Sequence, residues 1–94
     1  MSNVDNQVII TVSGTDKIGI VAGVSNRLLQ YRVNIEDIKQ TIMQDNFCMM
    51  MLCDISKLEV SFKEFKDGMM ALGEELGMEI WVQKKDIFDK MHTV

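Results

Sequence analysis

Between Gln7 and Ser13 apolar positions alternate, with Val8, Ile10 and Val12 on one side of an extended chain and Ile9 and Thr11 on the other. The β-branched content suits a pleated surface, and the segment reads as a strand. Gly14–Gly19 interrupts the pattern as a turn. The period then lengthens: Val21, Val24, Leu28 and Tyr31 recur at three and four residues, the apolar stripe of a helix over Ile20–Tyr31. Asp16 is placed to cap that helix, its carboxylate accepting from the backbone N–H of Ile18 or Gly19. Val33–Gln44 alternates less cleanly and reads as a strand with a bulge near Glu36-Asp37. Asp45-Asn46 is a two-residue turn signal, so Phe47–Cys53 closes a hairpin. That run is apolar on both faces, which predicts a central strand covered on both sides. Ser61-Phe62-Lys63-Glu64 forms a capping box ahead of the clearest helix, whose stripe is Phe62, Phe65, Met69, Leu72 and Leu76. Gly77 stands where a left-handed terminating residue belongs. Met78–Gln83 alternates as a last strand, and Asp86–Met91 adds a helical turn or two with Ile87, Phe88 and Met91 on one side.

The predicted order is β-α-β-β-α-β with a short helical tail. Each crossover helix must pack from the same side, so both cover one face of an antiparallel sheet. The expected fold is a ferredoxin-like α/β (α+β) two-layer sandwich. It forms one domain over 1–94, with a core of about 7–84 and a tail of 85–94. The second strand falls at a sheet edge, an open hydrogen-bonding surface that favours association.

Length and composition narrow the picture further. A chain of 94 residues with 47% hydrophobic content has a modest core, since a domain this small buries only roughly 60–70% of its unfolded surface. Its formal charge of −4 argues against a nucleic-acid partner and gives no footprint for an anionic membrane. Residues 1–6 have neither the basic nor the apolar region of a secretory signal. The run Phe47–Cys53 is far short of the roughly 20 apolar residues of a membrane helix. Cys48 and Cys53 fall on opposite faces of their strand some ~16 Å apart, too far for a disulfide. They read as two buried thiols of a reducing cytoplasm. His92 is the one histidine, so no metal-ligand set is in view.

Catalytic patterns are missing. Gly14 and Gly19 have phosphate-loop spacing, but Ile20-Val21 stand where Lys and Ser/Thr are needed. The first strand lacks the aromatic residues on which an RNA-recognition sheet stacks bases. Thr15-Asp16-Lys17-Ile18 carries neither Cys-x-x-Cys for copper nor the arginine of an acylphosphatase loop. With His92 so near the C-terminus no nucleophile–His–carboxylate set assembles, and the chain reads as a non-enzyme without a cofactor. What remains is the first loop. The backbone amides of Ile18, Gly19 and Ile20 open a helix and suit one carboxylate. The same residues also fit a plain capped helix with a close-packed glycine.

Gly14-Thr15-Asp16-Lys17-Ile18-Gly19-Ile20-Val21, followed by Leu28-Leu29 and Val33-Asn34-Ile35, resembles the signature of the ACT domain. The whole chain is similar to small stand-alone ACT proteins of bacteria and archaea, and to the ACT modules of glycine-cleavage transcriptional repressors. The resemblance implies an amino-acid-sensing regulatory module. It assigns Asp16 and Asn34 to ligand contact, with the main chain at Ile18, Gly19 and Ile20 holding the ligand carboxylate. It also implies a homodimer or higher homo-oligomer, paired side by side through the first helix and second strand. The small face Ala22, Gly23 and Asn26 would permit close helix approach. Ile18 departs from the proline common before the motif glycine. No catalytic or DNA-binding segment lies within these residues, so output is expected through a regulated protein partner. The alternative is a ligand-free dimerisation module that docks on a larger protein. Trp81 and the methionines of the second sheet face would be covered by the tail or by a further subunit, or the methionines simply fill the core.

Overall fold

In the computed structural model, which describes residues 6–91, the chain runs β1 (Gln7–Thr15), α1 (Ile20–Gln30), β2 (Asn34–Met43), β3 (Asn46–Asp54), α2 (Phe62–Leu76), β4 (Glu79–Lys84) and α3 (Lys85–Met91). The sheet order is β2-β3-β1-β4, antiparallel throughout, so β2 and β4 are the edges. This is the ferredoxin-like sandwich that the periodicity predicts, with a short C-terminal helix added.

The core lies between one sheet face and the two long helices. Val8, Ile10 and Val12 of β1 meet Met49, Met51 and Cys53 of β3 and Ile80 and Val82 of β4. Val24 and Leu28 of α1, with Phe65, Met69 and Leu72 of α2, close over them. Tyr31 stands edge-on to Phe65 at 5.2 Å between centroids. Helix α2 has the ends its sequence specifies. The Ser61 hydroxyl accepts from the Glu64 N–H at 3.1 Å, and Gly77 turns left-handed at φ 70°. The bulge of β2 sits at Glu36, where the pairing with β3 skips from Ile35 to Asp37.

Several expectations need correction. The buried residue at the start of α1 is Ile20, whereas Val21 is exposed, because the helix axis turns its stripe one position earlier. The hairpin turn is Gln44-Asp45, with Gln44 left-handed at φ 59° and Asn46 already paired to Met43. Gly23 faces inward: a Cβ there would lie 3.3 Å from Leu76 Cδ2, so only Ala22 and Asn26 of that face are open. Strand β3 is central, but its second face is not fully covered. Met50 is 37% exposed and Cys48 and Leu52 are half-buried, since both long helices lie on the other side. Cys48 is thus not the buried thiol expected, whereas Cys53 is, and both are free. Helix α3 packs on β1 and β4, yet none of its residues is buried and Trp81 remains 59% exposed. His92 lies outside the described residues.

Candidate functional site

Strand β1 ends at Thr15, paired with Asn46, and delivers a four-residue loop, 16–19, to the start of α1. Asp16 does not cap the helix. Its backbone N–H donates to the Asp45 carbonyl at 2.9 Å, which ties the loop to the β2–β3 turn. The capping position belongs to Gly19, left-handed at φ 89°, and no side chain bonds to the helix start. A glycine fits there because a side-chain-bearing residue is strained at positive φ. A Cβ on Gly19 would meet nothing within 4 Å, so the space beside it is open. The Ile18 side chain is fully exposed, whereas that of Ile20 is buried.

The N–H groups of Ile18, Gly19 and Ile20 make no hydrogen bond to another described residue. These donors sit at the positive end of α1. Lys17 is engaged with α2. Its Nζ donates to the Leu76 carbonyl, 3.2 Å away at the end of α2. Sequence reading missed that contact, since nothing local signals a partner 59 positions downstream.

Asp16, Ile18, Gly19 and Ile20 therefore come together, and Asn34 does not join them. Asn34 pairs with Asp54, which pairs with Gln7 at the opposite end of β1. The length of β1 separates the two positions by roughly 26 Å at about 3.3 Å per residue. Within one chain, Asp16 and Asn34 do not touch a common small molecule.

A second feature is the open sheet face. A shallow groove of about 230 Å³ is lined by Ile9, Asp37, Lys39, Met50 and Leu52 among others. Another of about 300 Å³ lies between Met50, Trp81 and Phe88. Cys53 is on the far side, in the core, where burial first and the nearby Glu36 second push its thiol up to about 12. Among the described residues no three His, Cys, Asp or Glu side chains are grouped to hold a metal ion. No described helix is long and apolar enough to cross a membrane.

A β2-β3-β1-β4 sheet backed on one face by two helices, with a left-handed glycine opening the first, is the ferredoxin-like fold of ACT domain proteins. The chain belongs to the ACT domain family, which it matches over residues 6–83; its members are generally small-molecule-binding regulatory modules. It is 48% identical over 86 residues to the UPF0237 protein of Listeria innocua, across 92% of this chain and 97% of that one. The solved ACT domain protein from Streptococcus pneumoniae is similar at 39% identity and a TM-score of 0.78, covering 87% of this chain and 92% of its own. A candidate glycine cleavage system transcriptional repressor has the same fold at 22% identity and a TM-score of 0.69, over 82% of this chain and 44% of that one.

Proposed function

We propose that this chain is an amino-acid sensor that works as a homodimer. Each ligand would lie between the β1–α1 loop of one copy and Asn34 of the other. The observation that carries the reading is the separation of Asp16 and Asn34 along the sheet, combined with an unpaired edge at β2. Two β2 edges set antiparallel about a two-fold axis bring the Asn34 end of one strand to the Met43 end of its mate, and the Met43 end is the end where the loop lies. The apolar character of that edge supports such pairing: Ile42 and Met43 of β2 are 57% and 72% exposed. Free amides at 18–20 suit a carboxylate, Asp16 suits an ammonium, and Asn34 offers both donor and acceptor to a zwitterion. No step of chemistry is assigned to the site, and the module transmits occupancy to a separate protein.

The test is calorimetry of the wild-type protein against each of the twenty amino acids. One of them gives heat, and Asp16→Ala and Asn34→Ala each weaken its binding tenfold or more, about 1.4 kcal/mol. Absence of heat with all twenty from folded protein removes the sensor reading. Docking on a larger protein through the Met50–Trp81 face then becomes the stronger account, because Met50 and Trp81 are 37% and 59% exposed.

A further inference from the structure

Helix α2 ends with the Leu76 carbonyl in reach of the β1–α1 loop, and its last turn contains no basic residue. The negative end of the helix dipole is therefore not balanced from within the helix. Lys17 supplies the balancing cation from the loop, with Nζ on the Leu76 carbonyl. Gly77 makes room for it. Besides its left-handed φ of 70°, a Cβ on Gly77 would lie 2.5 Å from Lys17 Nζ. The same corner meets the chain just before and just after the loop. A Cβ on Gly14 would strike Met78 Sδ at 2.8 Å, and Gly23 of α1 faces Leu76. On its other side the loop has one backbone tie, from Asp16 to Asp45.

We infer that Lys17 is the positioning residue of this loop, suspending the amides of Ile18, Gly19 and Ile20 from the C-terminus of α2. The inference rests on reading the loop as the ligand site. It adds a route for output. Any ligand that prefers one loop position also prefers one setting of the α2–β4 corner, and a partner that shifts the corner alters ligand affinity by the same factor.

Lys17→Met keeps the unbranched stem as far as Cε and removes the charged amine with its donors, while Lys17→Arg retains charge and donors. Amide exchange resolved by NMR on the ligand-free protein reads the hydrogen-bonded N–H groups of Asp16 and Gly23. In Lys17→Met both exchange at least threefold faster than in wild type, in Lys17→Arg they stay near wild type, and the amides of β1 and β3 are unchanged in both. Unaltered exchange at Asp16 and Gly23 in Lys17→Met overturns the inference. So does an acceleration spread evenly over β1 and β3, which marks a general loss of stability. Calorimetry against the twenty amino acids adds the functional arm. Where one binds the wild type, Lys17→Met binds it several-fold more weakly and Lys17→Arg does not, and equal affinity in Lys17→Met overturns the positioning role. If wild type binds none, the sensor reading alone falls and the exchange data still decide whether Lys17 sets the loop.

Discussion

Two cysteines five positions apart show how far a single residue's setting departs from its composition. Cys53 points into the core and Cys48 to the open face, the alternation that a strand imposes. Burial raises the Cys53 thiol to about 12 from its ordinary 9, and only a thiolate reacts. A thiol reagent at pH 8 therefore labels one cysteine of the folded protein, and Cys48→Ser labels at none until it is unfolded. Rapid labelling of two thiols in folded wild type contradicts this. The shift also sets a pH dependence. The folded thiol keeps its proton where the unfolded one loses it, so this contribution to stability is complete below pH 9 and is lost as pH rises toward 12. The slope approaches about 1.4 kcal/mol per pH unit within that window. Cys53→Ala, less stable at pH 8 because of its cavity, falls less steeply there.

At the scale of elements, α2 tests how glycine spacing governs packing. Gly73 lies mid-helix, where alanine ordinarily gains about 1 kcal/mol. Here a Cβ would lie 2.8 Å from the Met78 carbonyl oxygen and 3.3 Å from Ile80 Cγ1. The backbone at Met78, just before β4, cannot yield as a flexible side chain would, and overpacking of this kind costs about 1–3 kcal/mol. Gly73→Ala is thus expected to lower the melting temperature, and a rise would contradict the packing described. Most elements were legible because their signals are local. The capping box, the 3-4 stripe of α2, Gly77 and the Glu36 bulge all report conditions met within a few residues. What was not legible depends on distant partners. Asp16 reads as a cap, yet its side chain is idle at the helix start because a left-handed Gly19 takes that position. Phe47–Cys53 reads as doubly buried, yet which face the helices cover follows from crossovers, and the short α3 leaves Met50 and Trp81 open. The loop reads as a candidate from Asp16 and Gly19, but its hold on Leu76 spans 59 positions and leaves no trace in either segment.

Across the whole molecule, the question is whether the residues the sequence singled out form one site. The sheet puts Asp16 and Asn34 at opposite ends, so a shared ligand requires two copies. Occupancy of such a site would be coupled to dimerisation, and each copy would supply half of two equivalent sites. The decisive measurement is calorimetry on a mixture of Asp16→Ala and Asn34→Ala, each binding at least tenfold more weakly alone, against the amino acid that binds wild type and at a concentration where neither variant alone gives heat. When subunits exchange freely, half of the dimers are mixed and one of the two sites in each is intact, so about a quarter of the wild-type sites return at wild-type affinity. A mixture that stays as silent as its components contradicts a site shared between copies.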